Sequence, residues 1–187
     1  MTDNATSHAA ATPTTGACAK GGFLDPTIAP HVADAAAIFA QPGEEWTRIK
    51  RNASRTVYFG RVGGEVVYLK HFHSRSPSRR LLGKLGFGGS KREFAFSQYL
   101  SENGITVPKV LAASWSCCGQ WVATRAVAPA VPADEWHARK MLEPDTLSDV
   151  RQATLTLADL IGRMHAAGVL HGDLHCGNVL IRTDTDD

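Results

Sequence analysis

At 187 residues, with 43% hydrophobic and 20% charged side chains, the chain is long enough for one domain or two small lobes with a real core. A formal charge of +2 and a pI near 8.4 are too mild for a dedicated nucleic-acid binder. No run approaches the roughly 18 apolar residues of a membrane span, and the N-terminus lacks the basic start and apolar stretch of a secretory signal. Cys18, Cys117, Cys118 and Cys176 have no zinc-like spacing, so a reduced, cytoplasmic protein is expected.

The opening "MTDNATSHAAATPTTGACAKGG" is rich in Ala, Thr and Gly and has no hydrophobic period. It offers little apolar area against chain entropy and is expected to be a disordered tail, bounded at residue 27. Residues 28–40, "IAPHVADAAAIFA", suit a short helix after Pro30. Three strands then follow: "WTRIKR" (46–51), "RTVYFGRV" (55–62) and "EVVYLKHF" (65–72). The separators "NAS" and "GG" are hairpin punctuation, so the three form an antiparallel meander.

A Gly/Ser/Arg-rich loop, "HSRSPSRRLLGKLGFGGS", leads into the helical stretch "KREFAFSQYLSENG", with Asn103-Gly104 as a left-handed cap. Phe96 and Leu100 share a helical face with Glu93, which points Glu93 inward. Strands resume at "ITVPKVLAASW" and "QWVATRAV" around an "SCCG" turn. Residues 127–144 read as a Pro- and Ala-bearing connection. Leu147, Val150, Thr154, Leu157, Ile161 and Met164 then repeat at helical spacing, giving a long amphipathic helix over 147–167 closed by Gly168. The order β-β-β-α-β-β, linker, helix is that of an α+β protein.

Phosphoryl transfer asks for few parts: a cation on the phosphates, an acid that holds the cation, an acceptor for the nucleophile's proton, and metal ligands. Lys70 ends a strand, and Glu93 follows on an inward helix face. Asp173 and Asn178 lie in "HGDLHCGN", after the long helix. A carboxylate at 173 can take a hydroxyl proton. Asn178 cannot act as a base, but its carbonyl oxygen suits a hard Mg²⁺ ion. Read alone, His-Gly-Asp also fits an ordinary turn, Lys70 a solvated strand end, and Glu93 an exposed local pair. His171, His175 and Cys176 do not make a metal site, because flanking glycines deny a rigid ligand-bearing helix and a fourth ligand is missing.

"HGDLHCGN" fits the His-x-Asp-x-x-x-x-Asn loop of the protein-kinase-like fold position by position. With "VVYLKHF", "KREFAFSQYLSENGITVPKVLAAS" and "LIGRMHAAGVLHGDLHCGNVLI", the chain resembles the bacterial lipopolysaccharide kinase family over roughly residues 46–181. That family phosphorylates Kdo or heptose sugars of the lipopolysaccharide core. The resemblance implies an antiparallel β N-lobe with one main helix over 28–126. Residues 127–187 would supply a linker, the long helix and the catalytic loop of an incomplete helical C-lobe. It implies ATP and Mg²⁺ as cofactors, Asp173 as base, Asn178 as metal ligand, Lys70 on the ATP phosphates, Glu93 paired with Lys70, and His171 bracing the loop.

Three departures qualify it. Gly172 stands where regulated protein kinases carry an Arg that pairs with an activation-loop phosphate, which favours a sugar or other small acceptor. No G-x-G-x-x-G precedes Lys70, so the turn "NASR" would have to cover the phosphates with backbone N–H groups, helped by Ser54 or Arg55. "LGFGGSK" lacks the Gly-Lys-Ser/Thr ending of a P-loop. Finally, the fold's second metal-binding Asp is not assigned: only nine residues follow Asn178, and Asp184, Asp186 and Asp187 are not separated from "NVLI" by another strand. The chain therefore reads as the front part of a longer kinase, with apolar surface left exposed on its long helix.

From Lys70 to Arg92 there are seven Lys/Arg residues and no acid. This basic stretch, with Arg75, Arg79, Arg80 and Lys84, is either a solvated loop or a peripheral contact with an anionic membrane surface, where each cation contributes about 1 kcal/mol. The latter places the protein at the inner face of the cytoplasmic membrane. Alternatives to a lipopolysaccharide-core kinase are another small-molecule or protein kinase of the same fold, or a non-catalytic pseudokinase-like fragment.

Overall fold

A computed structural model describes residues 21–29, 39–73, 89–116, 119–170 and 172–183. The expected meander forms: β2 (Thr47–Arg51), β3 (Arg55–Val62) and β4 (Glu65–Phe72) pair antiparallel in sequence order. Gly63 and Gly64, at φ 56° and 83°, close the β3–β4 hairpin with both central residues left-handed. A two-residue turn between right-twisted strands favours that geometry, which glycine adopts at little cost. β4 also pairs with β6 (Gly119–Arg125), and β6 with β5 (Val110–Ser116).

The sixth strand lies outside those expectations. Gly22–Leu24 form β1, paired antiparallel with β5, and complete the order β1-β5-β6-β4-β3-β2. The tail bounded at residue 27 thus gives way to ordered chain at its last residues. "GFLD" is held by a sheet edge and by Asp25, whose N–H donates to the Leu111 carbonyl at 2.7 Å. Such tertiary pairing leaves little trace in local composition. The helix expected over 28–40 lies mostly outside the described residues.

The two faces of the sheet have different partners. On one, Ile28, Phe39, Trp46, Val67, Leu69, Leu111, Trp121 and Ala123 form a buried cluster. On the other, Val110, Ala113 and Val122 pack with Phe23, Phe72, Phe94 and Trp115 beneath helix α1 (Gly89–Glu102). The Phe94 ring sits 4.7 Å from Phe23 and 5.5 Å from Trp115, centroid to centroid. The inward stripe of α1 is therefore Ser90, Glu93, Phe94, Ser97 and Leu100. Phe96 is exposed, contrary to the expected face. Phe94 and Phe96 lie on opposite flanks of the line through Glu93, Ser97 and Leu100, and the aromatic rings of Phe23 and Trp115 stand on the Phe94 side.

The 127–144 connection also differs from expectation. Ala130–Pro132 form β7 and Ala133–Lys140 form helix α2. β7 pairs antiparallel with β8 (Leu180–Arg182), the strand that follows the His-Gly-Asp loop, and the Ala133 N–H donates to Val179 O at 2.9 Å. Three-residue strands are specified by their partner across the ladder, not by periodicity. Helix α3 (Leu147–Ala166) matches its expected span, but its stripe is only partly covered: Met164 is buried and Leu147 is exposed. Among the described residues, no helix is long and apolar enough to cross a membrane.

Candidate active site

Strand alternation determines where Lys70 faces. Phe72, two residues on, lies in the cluster beneath α1, and Val122, the register partner of Lys70, lies there too. Lys70 therefore projects toward α1, where its Nζ meets Glu93 Oε1 at 2.5 Å. Both side chains are about a quarter to a third exposed, so the pair borders solvent. Gly89 permits the approach of α1: a Cβ there would lie 2.8 Å from the Phe72 ring.

The other candidate residues, Asp173 and Asn178, lie in the turn after α3. Gly172 has φ 70°, and Cys176–Asn178 form a short 3-10 turn. The Gly177 N–H donates to His175 Nδ1 at 3.1 Å and the Asn178 N–H to His175 O at 2.9 Å. Asn178 then folds back: its Nδ2 donates to the Asp173 carbonyl at 2.9 Å. With the amide nitrogen committed, Oδ1 is the atom left to accept a cation, which fits the donor expected of a magnesium ligand. His175 serves the local backbone, and Cys176 is a free, exposed thiol. Among the described residues no group of three or more His, Cys, Asp or Glu forms a metal cluster. His171 lies outside the described residues, as do Asp184, Asp186, Asp187 and the basic stretch at Arg75, Arg79, Arg80 and Lys84.

The β2–β3 turn closes on its own first residue. Asn52 Oδ1 accepts from Ser54 N at 2.9 Å, from Ser54 Oγ at 3.0 Å and from Arg55 N at 2.8 Å. The backbone N–H groups of Ser54 and Arg55 are thus engaged within the turn. Side-chain oxygens of Asn close such turns on themselves, a signal present in "NAS" before the hairpin. Ser54 O in turn accepts from His73 N at 2.7 Å, which fastens the turn to the end of β4.

Sequence reasoning missed the support beneath the loop. Asp134, at the start of α2, approaches Gly177 so closely that a Cβ there would lie 3.1 Å from its Oδ2. A carboxylate in a helix's first turn was the available signal, but its target was not.

An antiparallel sheet carrying one Lys–Glu-paired helix, followed by a long helix and an Asp/Asn turn, defines the protein-kinase-like fold. A solved structure described as WaaP in complex with acyl carrier protein shares that fold, with a TM-score of 0.63 and 20% identity. The match covers 88% of this chain and 64% of that one, so this chain spans a little under two thirds of it. The profile of the lipopolysaccharide kinase (Kdo/WaaP) family matches residues 42–187, and the chain belongs to that kinase family. No curated protein matches it.

Proposed function

We propose that this chain carries the nucleotide-binding and catalytic-loop residues of an ATP-dependent kinase that phosphorylates a sugar hydroxyl of the lipopolysaccharide core. The observation that carries the reading is the Lys70–Glu93 ion pair, built between a strand and a helix 23 residues apart and left bordering solvent. Glu93 fixes the Lys70 ammonium so that it can neutralise phosphate oxygens without first losing side-chain freedom. Asp173 orients the acceptor hydroxyl and takes its proton as the new O–P bond forms and the bond to the ADP oxygen breaks. Asn178 offers Oδ1 to magnesium, and the metal would neutralise charge on the phosphate oxygens. Ser54 and Arg55 contribute through the shape of their turn and the Arg55 guanidinium, since the N–H groups are engaged with Asn52.

The acceptor follows from the family and from Gly172, which has no side chain to read an activation-loop phosphate. In this reading the protein works at the inner face of the cytoplasmic membrane, with Arg75, Arg79, Arg80 and Lys84 facing anionic headgroups.

The test is transfer of radiolabelled γ-phosphate from ATP to lipid-A-core acceptors, and in parallel to a generic protein acceptor. Labelling of the glycolipid alone is expected. Labelling of protein alone would overturn the acceptor assignment, and no transfer with nucleotide binding intact would favour a non-catalytic binding module. Asp173→Ala is expected to abolish transfer while sparing ATP binding; retained turnover would refute its role as base.

A further inference from the structure

Helices α1 and α3 end in the same way, and the two ends meet. In α1 the Gly104 N–H donates to Ser101 O at 3.1 Å and the Ile105 N–H to Leu100 O at 2.9 Å. In α3 the Gly168 N–H donates to His165 O at 2.9 Å and the Val169 N–H to Met164 O at 2.9 Å. Both glycines have φ 71°. Each is a Schellman ending, in which a left-handed glycine reverses the chain and an apolar residue folds back on the last turn. Leu100, Ile105, Met164 and Val169 form one buried cluster, so the two endings are packed together.

The polar contacts across this cluster are reciprocal. Tyr99 Oη donates to Ala167 O at 2.7 Å, and Arg163 Nη1 donates to Gly104 O at 3.2 Å. Helix ends leave carbonyls without intrahelical partners. Here each end receives a donor from the last turn of the other helix. Upstream on α1, on the face of Leu100, is Glu93; downstream of Val169 the chain runs directly into the turn bearing Asp173.

We propose that this clasp holds the Asp173 turn in register with the Lys70–Glu93 pair, and that Tyr99 and Arg163 are positioning residues for phosphoryl transfer. The idea rests on the kinase reading for its catalytic consequence, but not for its structural one. The clasp is made of packed side chains and helix-end hydrogen bonds, so α1 stays seated without a phosphorylated segment to draw it in.

The test compares Tyr99→Phe, Arg163→Met and the double variant with the wild type. Amide hydrogen exchange at residues 164–170 and 100–105 is read first, because it needs no turnover. Exchange is expected to rise in both segments in each single variant. In the transfer assay kcat is expected to fall about fivefold per lost hydrogen bond, with KM for ATP and for the acceptor unchanged. Asp159→Asn is the control: it removes the 2.9 Å local pair of Arg163 with Asp159 and is expected to alter neither readout. Unchanged exchange in both single variants would overturn the clasp. Raised exchange with unchanged kcat, or a loss carried wholly by KM, would overturn its positioning role. A wild-type chain that transfers no phosphate, while the variants still show the exchange response, would overturn the catalytic reading of this chain and leave the clasp standing.

Discussion

Lys70 and Glu93 derive their meaning from each other. A lone lysine near the end of a strand is held by nothing, whereas one drawn to 2.5 Å from a helix carboxylate has a defined place. Lys70→Met is expected to weaken ATP binding by about 1.5–3 kcal/mol, the range for a hydrogen bond to a charged group, with the melting temperature little changed. Titration calorimetry with ATP checks this; an unchanged dissociation constant would remove Lys70 from the nucleotide site. At the same scale Asn178 differs from what its motif alone conveys. Its amide nitrogen is occupied by the Asp173 carbonyl, which orients the oxygen and ties the two residues of the turn together.

Among the elements, the edge of the sheet shows how a small residue can be structural without an unusual backbone. Trp46 lies over Gly60, where a Cβ would stand 2.5 Å from the indole ring. Gly60→Ala is expected to destabilise the fold by about 1–3 kcal/mol through overpacking, read as a lower midpoint in urea. Trp46→Phe in the same chain is expected to recover part of that loss, because the smaller ring leaves room. No shift in Gly60→Ala would mean that β2 moves away freely. His71, on β4, shows a complementary constraint. Burial pushes its imidazole below the ordinary histidine range, and its Nε2–H donates to the Phe39 carbonyl, fixing the chain before β2 to the centre of the sheet.

For the molecule as a whole, the added edge strand β1 connects to acid stability. Asp25 follows β1, and its carboxylate accepts from the Thr27 hydroxyl at 2.5 Å, from the Thr27 N–H at 2.9 Å and from Lys109 Nζ at 2.9 Å. Those hydrogen bonds, Thr27 first, hold its pKa down to about 2 against an ordinary 3.8. The unfolded chain therefore takes up this proton first as pH falls. The stabilisation is complete above about pH 4 and is lost as pH drops toward 2. Asp25→Asn is expected to flatten the fall in melting temperature across that window, measured by circular dichroism. An unaltered slope would show that other carboxylates carry it.

The sequence by itself determined the meander, the span of the long helix, the glycine caps at Gly104 and Gly168, and the four residues proposed for chemistry. Each is written locally: alternation of apolar residues, helical period, a left-handed glycine, a fixed spacing from Asp173 to Asn178. Only the tertiary structure decided that Gly22–Leu24 join the sheet, that Phe94 and not Phe96 faces inward, and that residues 130–140 form a strand and helix beneath the loop. It also decided that the donors of Ser54 and Arg55 turn inward to Asn52. The physical reason is common to all of these. A three-residue strand, a choice between neighbouring aromatics and a turn's last free donor differ in energy by little until a distant partner is present, and that partner is chosen by packing, not by neighbours in the chain.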